Sequence, residues 1–280
     1  AQPTVRKVVE GSHAALISYG PMDAGKTFYA SQIAPLAIEE LFASFQGNPQ
    51  SITVNCTALE LVSEGIVDLL SGNSEPTTSI DVKKNDCGVV CILNASTNQC
   101  ATASDALRQY TQALAAKTKQ RSHFCFFLDV ELKHKVKDAI GKGKFSLIDL
   151  CGPGELGTQA DVTAGKHVNN SMRSLGSVIS ALSDKAASVP YLDDTLTTIL
   201  SDAFGGNSRT HVFTHYSPSS YTANETMHSI GLAQKASTIY NRPLRQYESQ
   251  DAIKLRNLVK KNLGESEGKQ KFYDITTYQE

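Results

Sequence analysis

Residues 20–27 read Gly20-Pro21-Met22-Asp23-Ala24-Gly25-Lys26-Thr27 and fit the pattern Gly-x4-Gly-Lys-Ser/Thr. The apolar run 14–19 before them predicts a strand, and 33–45 after them predicts a helix, because its apolar residues recur at steps of four. Glycines let backbone N–H groups turn inward around phosphate oxygens, and a helix N-terminus adds positive potential. A chance match is the alternative. The strand and the helix favour phosphate binding, with Lys26 on the β and γ phosphates and Thr27 on Mg²⁺.

A second motif supports the phosphate loop. The apolar run 145–150 predicts a strand that carries Asp149 at its end and is followed by Cys151 and Gly152. In nucleotidases with such a loop, this aspartate holds Mg²⁺, usually through water, and the glycine N–H senses the γ-phosphate. An aspartate at a strand end can also simply form a turn. The loop upstream favours the metal-binding interpretation for Asp149.

Composition excludes several classes of protein. The 280 residues carry 27 Lys+Arg and 28 Asp+Glu, and 40% of them are hydrophobic. This predicts a packed globular core rather than disorder, and it excludes a strongly basic chain held on nucleic acid by bulk charge. The longest apolar runs have five residues, which predicts no membrane insertion, and the N-terminus has no apolar secretion signal. We therefore expect a soluble, intracellular chain with reduced cysteines.

Strand-like and helix-like runs alternate along the chain, which predicts an α/β fold with a helix-flanked sheet. Further strands are predicted at 51–61, 88–93, 123–132, 144–150 and 211–216, and further helices at 104–116, 168–183, 194–204, 225–240 and 250–263. Ser104 and Asp105 are the predicted caps of the 104–116 helix. The strands 123–132 and 144–150 are expected to form a hairpin with a lysine-rich turn. One boundary is predicted, between a domain at 1–241 and a polar segment at 242–280.

These motifs together resemble the kinesin motor domain. Tyr19 to Thr27 stands where that family has Tyr-Gly-Gln-Thr-Gly-Ser-Gly-Lys-Thr, and Asp149 to Gly152 resembles the second switch, Asp-Leu-Ala-Gly-Ser-Glu. Arg121-Ser122-His123 resembles the end of the first switch, Ser-Ser-Arg-Ser-His. Downstream, 168–172 and 175–182 are similar to Ile-Asn-Lys-Ser-Leu and Leu-Gly-x-Val-Ile-x-Ala-Leu. The resemblance implies a P-loop NTPase fold with a mixed eight-stranded central sheet and helices on both faces.

The family also places further strands and an adenine-contacting Arg-x-Arg-Pro segment before its phosphate loop. Only 19 residues precede Gly20 here, so we expect the N-terminal elements of the fold to be missing from this chain.

The resemblance also implies the site residues and the cofactors, ATP or ADP with Mg²⁺. Arg121, Ser122 and Glu155 are the implied catalytic residues, and Thr27 and Asp149 the implied metal-binding ones. The implied nucleotide contacts are Gly20, Pro21, Met22, Asp23, Ala24, Gly25, Lys26, Thr27, Phe28 and Gly152.

Three departures from the family pattern concern hydrolysis. The two serines of the first switch correspond to Lys119 and Gln120, and a family asparagine falls at Ala116. The glutamate of the second switch falls at Gly154, with Glu155 displaced by one residue. Because hydrolysis requires a water placed in line with the γ-phosphate, these changes predict a domain that binds nucleotide and turns it over slowly or not at all.

The segment that faces the microtubule in the family is depleted of basic residues. Residues 190–198 lack all three basic positions of the family motif, and 168–209 contain three basic and four acidic residues. This predicts weak steering toward an acidic partner. The alternative is that lysines 133, 135, 137, 142 and 144 supply the basic surface. A charged turn is more often a solvated loop.

The leading interpretation is a nucleotide-binding, kinesin-like domain that serves as a static or regulated component of a microtubule assembly. Its expected partners are tubulin and other microtubule-associated proteins, and its expected location is the cytoplasm and cytoskeleton, including the axoneme of a cilium or flagellum. An active ATP-driven motor with an unusual first switch is the alternative. A third interpretation is a P-loop ATPase fold that has been recruited away from microtubules.

Overall fold

A computed structural model describes residues 2–46, 51–84, 89–118, 121–133, 139–152 and 159–249 of the chain. Several residues lie outside the described residues, namely Lys119, Gln120, Gly154, Glu155, Cys87 and the predicted helix at 250–263. The strands are, in chain order, β1 (His13–Tyr19), β2 (Ser51–Val62), β3 (Gly65–Asp68), β4 (Asp81–Lys84), β5 (Val90–Leu93), β6 (Asn98–Gln99), β7 (His123–Lys133), β8 (Ala139–Asp149), β9 (Ser208–Thr214) and β10 (Gln246–Ser249). The helices are α1 (Gln2–Arg6), α2 (Lys26–Ala43), α3 (Ala103–Ala115), α4 (Gln159–Ser183), α5 (Thr195–Ile199) and α6 (Ala223–Ala236).

The central sheet has eight strands of mixed direction. Its order is β3-β2-β7-β8-β1-β9, with β6 beside β2 and β10 beside β8, while β4 and β5 form a separate hairpin. β1 is parallel to both β8 and β9, and β7 is antiparallel to β2 and β8. Ser18 pairs with Asp149, so the carboxyl ends of β1 and β8 lie together at one edge of the sheet. Ligands of open α/β sheets bind at such edges.

Helices cover both faces of this sheet, as predicted. Side chains alternate along β7, so that Phe124 and Phe126 face one core while Cys125 and Phe127 face the other. The first core contains residues of α1, α2 and α3, and the second contains residues of α4 and α5 with α6 at its margin. The predicted α/β fold with a mixed central sheet is therefore confirmed.

Several predicted boundaries were wrong: α2 begins at Lys26 rather than at 33, α4 begins at Gln159 rather than at 168, and α3 and β8 also begin earlier than predicted. The N-cap of α3 is Thr102, not Ser104: its hydroxyl accepts from the Asp105 N–H (3.1 Å), while the Asp105 carboxylate accepts from the Thr102 N–H (3.0 Å). This capping box satisfies two backbone donors and starts the helix one residue earlier.

The predicted hairpin is present, but β8 starts at Ala139, five residues before the predicted start. Strand β8 is longer because β10 and β7 both pair with its first residues. Lys142 and Lys144 consequently lie in a strand rather than in a solvated turn. Lys144 is buried, and its ammonium donates to the Val90 carbonyl at 3.2 Å.

The first residues of the segment that follows residue 241 pair with the central sheet. Asn241 donates to the carbonyls of Ala203 and Ser208, each at 2.7 Å, and β10 pairs antiparallel with β8. The Gln246 N–H donates to the Gly11 carbonyl at 2.8 Å. The predicted boundary between 1–241 and 242–280 stays a prediction.

The described cysteines, Cys56, Cys91, Cys100, Cys125 and Cys151, are free thiols, as expected. Over the described ranges, every helix is too short or too polar to cross a bilayer.

Candidate nucleotide-binding site

The phosphate loop connects β1 to α2 through a backbone that needs left-handed conformations. Gly25 is the N-cap of α2 at φ 84°, and Asp23 lies at φ 57°. Gly20 lies at φ 147°, and a Cβ there would stand 2.3 Å from the His215 carbonyl oxygen. Positive φ values are easy for glycine and uncommon for other residues. The loop therefore turns tightly from the end of β1 into the first turn of α2, where helix N–H groups point outward.

The end of β8 lies directly against this loop. A Cβ on Gly152 would stand 2.5 Å from the Gly20 carbonyl oxygen and 2.6 Å from the Met22 nitrogen. No side chain fits in that space, so only glycine allows the two backbones to approach this closely. The two predicted motifs thus form one site, with the Gly152 backbone beside the phosphate loop.

Lys26 is the buried cation of the site. Its side chain is only 7% exposed, and its ammonium donates to the Pro21 carbonyl of the loop. Burial lowers the pKa of Lys26, while the charges of Cys151, Asp149 and Asp23 oppose that shift. Among the described residues, the Pro21 carbonyl is the one hydrogen-bond acceptor of this ammonium, so the buried charge is well placed to take an anionic ligand in exchange.

Thr27 and Asp149 form the candidate metal site. The Thr27 hydroxyl donates to Asp149 Oδ2 at 2.6 Å, which joins the first turn of α2 to the end of β8. Asp149 Oδ1 is buried and has no hydrogen-bond partner among the described residues. Burial raises the pKa of Asp149, and the hydrogen bond from Thr27 lowers it. A hydroxyl beside a carboxylate with one unsatisfied oxygen fits the oxygen-rich shell that Mg²⁺ prefers.

Aromatic side chains lie at the start of α2. Phe28 is 73% exposed, while Tyr29 packs edge-on to the His215 ring with 5.1 Å between ring centroids. Burial lowers the pKa of His215, and the positive charge of Lys26 lowers it further. Phe28 is therefore free to contact a ligand ring, and His215 is a neutral side chain beside the loop that sequence reasoning did not identify.

Two of the implied catalytic residues, Arg121 and Ser122, lie in different surroundings. Arg121 Nη2 donates to the Met22 sulfur at 3.4 Å and so lies beside the phosphate loop. The Ser122 hydroxyl instead donates to Glu60 Oε1 at 2.6 Å, inside the core. Glu60 was missed, although a charged residue between Leu59 and Leu61 at the end of the predicted strand 51–61 is a signal of a buried polar role.

His123 connects the two switch-like segments and was also missed as a site residue. Its Nδ1 accepts from the Cys151 N–H at 3.2 Å, across from β7 to the end of β8. Burial, with the charges of His167 and Lys117 adding to it, lowers the pKa of His123 to about 3. The ring is therefore neutral in the folded protein over the ordinary pH range.

His123 should make the fold sensitive to acid. Because the folded-state pKa lies near 3 and the ordinary value is 6.5, the unfolded chain binds the extra proton between those limits. The free energy of unfolding should fall by about 1.4 kcal/mol per pH unit as the pH drops through this window. Urea titrations from pH 7 to pH 4 measure it. The H123N variant keeps an acceptor for the Cys151 N–H without titrating, and parallel pH curves for the two proteins would contradict the prediction.

The amino-acid sequence is similar to those of known proteins. The kinesin-like protein Klp68D of Drosophila melanogaster is 30% identical over 273 residues, which cover 89% of this chain and 34% of that protein. The kinesin-like protein KIN-14E of Arabidopsis thaliana is 28% identical over 278 residues, which cover 91% of this chain and 22% of that protein. The chain thus spans about a third or less of the length of these curated relatives.

A solved structure supports the same relationship. It is described as a KIF14[391-772] dimer in the two-heads-bound state, with AMP-PNP, in complex with a microtubule. Its TM-score is 0.79 at 25% identity, and the match covers 87% of this chain and 76% of that one. The family described as kinesin motor domain matches residues 1–239. The chain therefore belongs to the kinesin motor-domain family.

Proposed function

We propose that this chain binds ATP or ADP with Mg²⁺ and serves as a static or regulated component of a microtubule-based assembly. The observation that carries the nucleotide part is the 2.6 Å hydrogen bond from Thr27 to Asp149 beneath the phosphate loop. Lys26, the loop amides and the Gly152 backbone would bind the phosphates. Thr27 and Asp149 would hold Mg²⁺, which when bound supplies charge neutralisation of the phosphates.

Slow or absent turnover is supported by the first switch. The Ser122 hydroxyl is engaged by buried Glu60, and the two positions before Arg121 are Lys119 and Gln120 rather than serines. A hydrolytic water must be held in line with the γ-phosphate, and small misplacements cost large factors in rate. Neither Lys119 nor Gln120 supplies the short hydroxyl group that a serine would offer to orient that water.

The face that would contact tubulin has little net charge. Of the four acidic residues between 168 and 209, Asp202 is buried beside His13, and Asp194 caps α5 by accepting from the Leu196 N–H at 2.8 Å. This reduces the acidity expected from the sequence count, but Leu192, at 83% exposed, and Thr195 still stand where the family motif has basic residues. Binding to an acidic polymer would be weak, and other microtubule-associated proteins would be needed to hold the domain in place.

This function predicts a cytoskeletal location, and the axoneme of a cilium or flagellum is one assembly in which a static member of this family could serve. An active motor with an unusual first switch is the competing function.

Steady-state ATPase activity with and without microtubules, together with cosedimentation across a salt series, tests the proposal. We expect no stimulation of turnover by microtubules and weak binding that salt abolishes. A sharp rise in turnover on the polymer would establish the competing motor function instead.

A charge-restoring variant makes the binding assay sharper. L192R/T195K should bind microtubules about tenfold more tightly at low salt, because two exposed charges face an acidic partner. Q32K/L36R carries the same added charge on α2, on the other face of the sheet, and should leave binding unchanged. Equal effects of the two variants would contradict the assignment of the face.

A further inference from the structure

Asp23 places an acidic side chain in the middle of the phosphate loop. Its position corresponds to a glycine in the motif Tyr-Gly-Gln-Thr-Gly-Ser-Gly-Lys-Thr of the kinesin motor family, and its backbone is left-handed, at φ 57°. Such a backbone is uncommon for residues other than glycine, although aspartate and asparagine adopt it more readily than most. The Asp23 side chain is exposed. The loop therefore carries a solvent-facing negative charge that the family's glycine does not supply.

The side of the loop where a phosphate would bind is close to Asp23. A Cβ on Gly25 would have no described atom within 4 Å apart from the neighbouring parts of its own chain, so the first turn of α2 has room for an anion beside its N–H groups. Consecutive Cα atoms are about 3.8 Å apart, so those of Asp23 and Gly25 are separated by about 8 Å at most. A phosphate at this turn would therefore lie on the order of one Debye length from the Asp23 carboxylate, which is about 10 Å at 0.1 M salt.

The charge of Asp23 is not cancelled by a close cation. Among the residues that the structure describes, no lysine, arginine or histidine nitrogen lies within 4.0 Å of its carboxylate. Burial lowers the pKa of Lys26, and the charge of Asp23 is one of those that oppose this shift. Two unit charges about 10 Å apart in water interact strongly enough to change an affinity roughly twofold. Each negative charge on a ligand should therefore weaken its binding by about that factor.

We propose that Asp23 is a specificity-determining residue, whose carboxylate repels metal-free polyphosphates from the phosphate loop and so favours nucleotides that are complexed with Mg²⁺. The cation cancels two negative charges of the phosphates, so the complexed nucleotide is repelled less. The two additional charges of metal-free ADP should cost it about a further fourfold in affinity. This inference rests on the proposed nucleotide binding and adds a selection by the net charge of the ligand.

The D23N variant tests the charge of this side chain. Asparagine has nearly the same shape and tolerates a left-handed backbone. Isothermal titration with ADP at low salt, once with Mg²⁺ and once with EDTA, measures the preference. D23N should bind metal-free ADP about eightfold more tightly than the unmodified chain does, and Mg²⁺-ADP about twofold more tightly, because that complex keeps about one net negative charge. At 1 M salt the Debye length is about 3 Å, and the two proteins should bind alike.

Two further variants separate charge at the loop from other causes. D184N makes the same chemical change at an exposed aspartate that follows the end of α4, and it should leave both affinities unchanged. D23G removes the same charge as D23N and also relieves the left-handed backbone. A change of preference in D23G that is absent from D23N would assign the effect to the backbone and overturn the proposal.

The remaining outcomes distinguish this inference from the function on which it rests. An equal gain of D23N for metal-free and Mg²⁺-bound ADP, or no gain for either, overturns the role of Asp23 and leaves nucleotide binding intact. Failure of both proteins to bind ADP, with or without Mg²⁺, overturns the proposed function together with this inference.

Discussion

The K26A variant should lose about a hundredfold in ADP affinity while its thermal stability without nucleotide stays the same or rises. Lys26 is the buried cation of the phosphate loop, and a charge-assisted contact to a phosphate is worth up to about 3 kcal/mol. Burial lowers the pKa of Lys26, which means that holding its charge inside the protein without a bound phosphate costs free energy. Removing the ammonium therefore relieves the unfavourable burial of a charge in the free protein. It also removes a favourable phosphate contact from the complex.

Isothermal titration with Mg²⁺-ADP measures the affinity, and differential scanning calorimetry without nucleotide measures the stability. K133A is the matched control for loss of one positive charge. If K26A bound ADP as tightly as the unmodified chain, Lys26 would not contact the phosphates. The proposed role of the phosphate loop would then be contradicted.

The second large effect is expected from G152A. The added Cβ would stand 2.5 Å from the Gly20 carbonyl oxygen and 2.6 Å from the Met22 nitrogen, both backbone atoms that cannot rotate away. The loop must then move by about 1 Å to reach an ordinary contact distance. We expect a destabilisation of about 2 kcal/mol from overpacking and at least about a tenfold loss of nucleotide affinity, because the loop amides are displaced from the phosphates.

G176A is a matched control for the same chemical change. Gly176 lies in the middle of α4, and its added Cβ would meet only Leu232 Cδ1 at 3.9 Å, an ordinary van der Waals contact. Alanine should stabilise the helix there by about 0.5–1 kcal/mol and leave nucleotide affinity unchanged. The two substitutions should therefore shift the melting temperature in opposite directions. Two shifts of the same sign would contradict the close approach at Gly152.

Much of the fold could be predicted because hydrophobic periodicity is a local property. Helix α4 was expected from 168–183, and its apolar residues do face the core, although the helix begins earlier, at Gln159. Element ends were less predictable. Thr102 rather than Ser104 caps α3, and β8 extends to Ala139 because β10, distant in sequence, pairs with it. The end of a helix or strand depends on which backbone groups form hydrogen bonds, and the partners of those groups can be distant in sequence.

The candidate site also has a part that the sequence predicts and a part that it does not. The phosphate loop and Asp149 could be read from the sequence, since short motifs adjoin a strand end. The roles of Glu60 and His123 could not, because each depends on a hydrogen bond to a residue that is distant in sequence. Ser122 was assigned to catalysis by resemblance, and its hydroxyl is instead bonded to Glu60.

The sequence by itself determined the α/β class, the family resemblance and the phosphate loop of this protein, because each is built from short motifs or periodic runs whose residues are close together in the chain. Only the tertiary structure decided which charges are buried and which are exposed. Asp202 and Lys144 count equally with surface residues in the sequence, yet both lie in the core beside Val90. The free energy of a charge depends on its surroundings, and those are assembled by folding.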